Sequence, residues 1–278
     1  MRIPRLSLRR RLTYPRSAVR RLAALIISSL AVAALGFPLQ AAQAAAAAFV
    51  SPTLPHVILA FPQRDFVSAT GYQAGVPVHA ELWRNGLLIS RSTDILPQDD
   101  PKTPGFDGIV EVNHPGGGCW LTVTPDMRPG DAVLIVTPTV TEGTIVANVT
   151  AGPAVQTGPT SVAVHGTAQD VLGNPLPVDQ LEQRLIAKKD RFDLNRRRDL
   201  RASAAGINGT LAYDAPGSID WTASYTGLDA ADMLRALSAE SRILWRGANP
   251  LLGNEGTIYE VGAVGGPTPP CTAPLEAN

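Results

Sequence analysis

The chain has 278 residues with 24 basic and 24 acidic side chains; aromatics make up only 5%, while glycine and proline number 25 and 24. Few aromatics and many turn formers argue against a helical bundle and favour short strands joined by tight turns. The apparent neutrality belongs to the leader: setting aside eight arginines within the first 44 residues leaves 16 basic against 24 acidic, a charge of −8, which makes nucleic acid and anionic membrane poor partners because counterion release needs clustered positive charge.

Those eight are Arg2, Arg5, Arg9, Arg10, Arg11, Arg16, Arg20 and Arg21, and no acidic residue appears before Asp65. An apolar run from Leu22 to Leu35 follows, shorter than the roughly 20 residues a bilayer span needs. Gly36, Pro38 and the small-x-small site Ala42-Gln43-Ala44 close it. This order predicts a secretory signal peptide over 1–44, with a retained membrane anchor as the alternative. The paired Arg20-Arg21 fits twin-arginine export, but the rest of that motif is missing. Without a lipidation cysteine after the leader or a terminal sorting motif, the expected location is secreted, or loosely attached at the cell surface.

Residues 45–54 read as a structureless Ala-rich leader. From 55 to 150 the chain breaks into short β-like runs. Among them are His56–Phe61, Asp65–Ala69, Val76–Leu82, Leu87–Ser90, Gly108–Val112, Leu121–Val123, Ala132–Thr137 and Thr144–Val149. Asn85-Gly86 is the strongest two-residue hairpin signal. Turns every 8–12 residues predict an immunoglobulin-like sandwich. A linker is expected at 151–160, then a second β-rich sandwich over 161–264. Its Asp170–Pro175 phrase reads as a hairpin with a Gly-Asn turn, the stretch from Leu181 to Ala202 is charged and ambiguous, and Thr257–Val261 reads as a closing strand. One short helix is expected there, capped by Asp229, with Met233, Leu234 and Leu237 on one face. Residues 265–278 are a Pro-rich tail. The expected fold class is therefore all-β, two immunoglobulin-like sandwiches, the second carrying one helix.

Cys119 and Cys271 are the only cysteines, and an even pair in an exported chain reads as one disulfide, with two separate buried thiols as the alternative. It would pin the tail to the first half and close a loop worth at most about 4–5 kcal/mol.

The phrases Arg64-Asp65-Phe66-Val67, Gly71-Tyr72, Arg84-Asn85-Gly86 and Glu111-Val112-Asn113-His114-Pro115-Gly116-Gly117 resemble a group of secreted bacterial proteins of the actinobacterial type. Leu211-Ala212-Tyr213-Asp214 and Thr257-Ile258-Tyr259-Glu260-Val261-Gly262 are similar to the second half of that group. The resemblance implies export and a two-part β fold and carries no activity.

The chemistry legible in the chain is sparse. Asn113–Trp120 holds His114 and three glycines, but no G-x-S-x-G elbow accompanies it, so a loop fixed by Cys119 is the expectation. A secreted hydrolase using His114 and carboxylates from Asp99 to Asp107 is the rival; Asp99, Asp100 and Asp107 also crowd one loop in the manner of calcium ligands, without EF-hand spacing. His56, His79, His114 and His165 show no zinc spacing, and neither metal nor cofactor is expected. A carbohydrate-binding module would need Trp83, Trp120, Trp221 or Trp245 exposed for stacking. The basic stretch Arg184, Lys188, Lys189, Arg191, Arg196, Arg197, Arg198 and Arg201 is the best binding candidate. It compresses half the mature positive charge into 18 residues. Arg191, Arg196, Arg197 and Arg198 are the residues assigned to an anionic surface polymer or a partner protein; a charged hairpin neutralised by Glu182, Asp190, Asp193 and Asp199 is the structural counterpart. The expected function is thus non-enzymatic: an extracellular binding or structural module.

Overall fold

Period-two alternation dictates most of the strands. In Asp220–Thr226, Trp221, Ala223 and Tyr225 are buried while their neighbours are not, as a strand with one face on a core requires. The computed structural model describes residues 48–99, 107–188, 197–204, 208–247, 254–262 and 271–277, with the side chains of Lys188 and Arg197 excepted. Three sheets organise them. A seven-stranded sheet runs in the order β12 (Arg197–Arg201), β11 (Leu181–Lys188), β15 (Glu240–Arg246), β16 (Glu255–Val261), β1 (Val57–Phe61), β2 (Phe66–Thr70), β5 (Val110–Val112). A four-stranded sheet runs β4 (Leu87–Arg91), β3 (His79–Arg84), β6 (Ala132–Val136), β7 (Thr141–Ile145). A five-stranded sheet runs β13 (Gly209–Tyr213), β14 (Asp220–Thr226), β10 (Ser161–Gln169), β8 (Asn148–Ala151), with β9 (Val155–Gly158) also on β10.

The long sheet joins the two halves of the sequence. β1 pairs parallel with β16, placing Ile58 opposite Glu255 and Ala60 opposite Thr257. Carrying the register across, Val67, Ala69, Ile58 and Ala60 share one face with Ile243, Leu181 and Leu185. That face holds both main cores. Near β1, β2 and β5 its side chains pack with Ala80, Leu82, Val133 and Ile135 of the four-stranded sheet. Near β11 and β15 they pack with Val162, Val164, Trp221, Ala223 and Tyr225 of the five-stranded sheet. Each fully buried aliphatic or aromatic side chain contributes about 1.5–3 kcal/mol relative to exposure. The fold is β-rich, as expected, but the segment read as a linker is built in: β8 extends to Ala151 and β9 occupies Val155–Gly158. No local pattern reports a strand that returns across some 200 residues to pair with β1.

Other local readings meet the structure closely. Asn85 and Gly86 have φ of 50° and 76° and turn β3 into β4, the left-handed pair that this dipeptide tolerates. The helix α1 spans Ala230–Leu237, and the Asp229 side chain accepts from the Asp232 amide at 2.7 Å. Ala236, rather than Leu234 or Leu237, joins Met233 in the core. The charged stretch resolves into the antiparallel pair β11–β12. Leu121–Val123, read as a strand, lies outside the named strands, although Leu121 donates its amide to Arg91 O at 2.9 Å.

The leader corrects differently. Within 45–54, Val50 makes a parallel bridge to Glu142, donating to Thr141 O at 3.2 Å and accepting from Gly143 N at 3.0 Å. The β7 edge supplies the free backbone groups that order it. A Cβ on Gly143 would lie 2.4 Å from Leu134 and 3.0 Å from Phe49, so only glycine leaves room for Phe49 there. The Cys119–Cys271 disulfide is formed, with Cα atoms 5.3 Å apart.

Candidate functional site

Strand alternation divides the basic stretch between the two faces of the long sheet. Asp199 and Arg201 point to the face away from the cores, where they join a band of paired charges. Arg201 Nη2 is 2.9 Å from Asp199 Oδ2, and Arg201 Nη1 is 3.6 Å from Glu182 Oε1. Glu182 also receives Arg184 at 2.7 Å and Arg246 at 3.0 Å. Burial alone would raise the Glu182 pKa, but these two guanidinium groups hold it below the usual carboxylate range. Further along, Arg242 pairs with Glu240 and, at 2.9 Å, with Glu260. Glu260 receives Arg64 at 3.2 Å, and Arg64 lies over the Phe66 ring at 4.9 Å. Most of this positive charge is spent internally.

Arg198 and Leu200 point the other way. Arg198 Nη2 reaches Asp232 Oδ2 of α1 at 2.8 Å, its only partner among the described residues. Asp232 is shared with Arg235 at 3.0 Å. The Arg198 side chain remains half exposed, at 51%. It lines a cleft of about 200 Å³ together with Leu200, Asn208, Tyr225, Gly227, Leu228 and Asp232, among others. Of its lining, Tyr225 and Leu228 are buried, and Tyr225 Oη donates to Gln183 Oε1. Burial pushes the Tyr225 phenol well above its ordinary pKa, so it stays neutral. Gly227 has φ 74°, and a Cβ there would meet Asn208 Nδ2 at 2.5 Å. The lining thus holds one guanidinium, Arg198, already paired with the Asp232 carboxylate beside it.

Of the four arginines assigned from sequence, Arg198 alone is placed in this cleft. Arg197 contributes backbone opposite Lys188; Arg191 and Arg196 lie outside the described residues, as do Asp190 and Asp193. Sequence reasoning missed Asp232, Leu200, Tyr225, Asn208 and Gly227. Asp232 sits three residues after a recognisable helix cap, and that was the available signal. The rest depends on β12 and β14 meeting in space.

The other candidates are distributed. His114 pairs with Glu111 at 2.8 Å and tilts against Phe66 at 5.0 Å. Asp99 accepts from the Gly108 amide at 2.9 Å, Asp100 lies outside the described residues, and no ion pair links His114 to Asp99 or Asp107 among the described residues. His56 bonds the buried Glu142 at 2.6 Å and stacks on Tyr72 at 4.4 Å. His79 pairs with Glu81 at 3.2 Å, and His165 with Thr222 at 2.9 Å. Among the described residues no three His, Cys, Asp or Glu side chains are grouped to hold a metal. Trp120 and Trp221 are buried at 1% and 0%, which removes them as stacking platforms; Trp83 and Trp245 are half-buried and bond Glu81 and Gln180 through Nε1. Among the described residues no helix is long and apolar enough to cross a membrane.

No protein-family model matches the chain, and a search of curated proteins finds no match either.

Proposed function

We propose that this chain is an exported, non-enzymatic binding or structural module of the extracellular space, built as two immunoglobulin-like sandwiches fused along one sheet. The observation that carries the reading is the Cys119–Cys271 disulfide, which uses both cysteines and suits an oxidising compartment. The resemblance to secreted actinobacterial-type proteins agrees.

The Arg198 cleft is the binding site in this reading. At about 200 Å³ it is smaller than the roughly 300–1,000 Å³ of ordinary small-molecule pockets. It suits one charged group presented repeatedly by an anionic surface polymer, gripped by the Arg198 guanidinium. Affinity electrophoresis of the mature protein through a gel containing soluble polyuronate tests the assignment. The native protein is retarded and Arg198→Glu is not, and the retardation falls with added salt. Equal migration of both proteins removes the cleft as the site.

A further inference from the structure

Cys271–Ala277 runs as a strap along residues 118–126. Beyond the disulfide, few contacts hold it. Thr124 N donates to Pro274 O at 2.8 Å, and Glu276 N donates to Thr124 O at 2.9 Å. Asp126 N donates to Glu276 Oε2 at 3.0 Å, Thr124 Oγ1 donates to Ala273 O at 3.4 Å, and Arg84 Nη1 reaches Glu276 Oε1 at 2.6 Å. Ala273 is the one apolar side chain of the strap that packs on the core beneath, while Thr272, Pro274, Leu275 and Ala277 are exposed.

We propose that the Cys119–Cys271 disulfide is a redox latch for this strap, so that reduction frees Cys271–Ala277 and uncovers the backbone edge at Thr124 while both cores stay folded. Three observations carry this. Neither cysteine lies in a strand, so the ladders that join the sheets do not depend on the bond. Both cysteines are only partly buried, and thiol–disulfide exchange needs access for an attacking thiolate. The noncovalent contacts of the strap are few against the entropy of ordering its backbone, so docking depends on the disulfide, which holds Cys271 at Cys119 where the peptide link to β16 alone does not.

The reductant is an extracellular dithiol. Its thiolate attacks one cysteine sulfur and the S–S bond breaks to a mixed disulfide. Its second thiol then closes on the first. The protein gains two electrons and two protons as Cys119 and Cys271 thiols, and the dithiol leaves as a disulfide. The freed edge presents the Thr124 amide and carbonyl without partners, the kind of edge that an extended segment can pair with.

Hydrogen exchange on the full mature chain, with and without dithiothreitol, reads the latch amide by amide. On reduction the Thr124 and Asp126 amides exchange at least about tenfold faster, and the β3 and β6 ladder amides keep their rates. Cys271→Ser reproduces the reduced pattern without reductant. Unchanged protection of Thr124 after confirmed reduction overturns the proposal, since the strap then holds without the bond. Equal acceleration in β3 and β6 also overturns it, since the disulfide then staples the whole fold.

Discussion

Arg84 and Glu276 meet at 2.6 Å across 192 positions of sequence. The same guanidinium closes on Asp131 with two bonds of 2.8 Å and donates to Asp126 O at 2.7 Å. Asp131, at 1% exposure, is the partner that cannot be left alone. These carboxylates, Asp131 first, raise the Arg84 pKa further above its already high value. Arg84→Ala therefore costs about 3–5 kcal/mol by stranding a buried charge. Glu276→Gln, at a partly exposed position, costs about 1 kcal/mol. Urea unfolding of the two variants measures both, and the ordering is the diagnostic part.

Asp65 sits at φ 47° and accepts the Met127 amide at 3.1 Å. Burial, with Asp126 and Glu276 nearby, raises its pKa from 3.8 to about 6. A carboxyl raised in the fold keeps a proton that the unfolded chain gives up, so it costs stability as pH rises through that window. Asp65→Asn keeps an acceptor for Met127 and tolerates positive φ. The variant is more stable than the native protein above pH 6 by about 1–2 kcal/mol, allowing for solvent screening, and the gain fades toward pH 4. Thermal melts across pH 4–7 give the difference directly.

Gly166 lies in β10 where a Cβ would come within 2.0 Å of Thr150 O and 2.4 Å of the Trp221 ring. Gly166→Ala must push β8 or Trp221 aside and costs at least about 2 kcal/mol. Gly152→Ala, whose nearest neighbour is His165 O at 3.4 Å, costs less than about 1 kcal/mol. Denaturant midpoints for the pair separate close approach from a general intolerance of side chains there.

The Asp229 cap is an independent check on the helix that walls the cleft. Asp229→Ala costs about 1 kcal/mol, seen as a lower denaturant midpoint, and loosens the Asp232 partner of Arg198.

What the sequence revealed was what short-range physics decides. Asn85-Gly86 specified its turn, Asp229 its helix, and the cysteine pair its bond. The alternating burial of β3 and β14 was visible as pattern. The parallel pairing of Ile58 with Glu255 was not, because it joins segments with nothing local in common. The same holds for the cleft: Arg198 stood out as charge, yet its setting depends on Tyr225 and Asp232 arriving from other elements. Val50 read as leader because the edge that orders it, Thr141–Gly143, lies far along the chain.

Export followed by disulfide closure underlies the proposed function, and intact mass with N-terminal sequencing of the protein from a secreting bacterial host tests both at once. The prediction is a chain in the medium that begins at Ala45 and weighs two hydrogens less than its reduced form. A chain kept inside the cell with the leader attached, or exported with both thiols free, contradicts it.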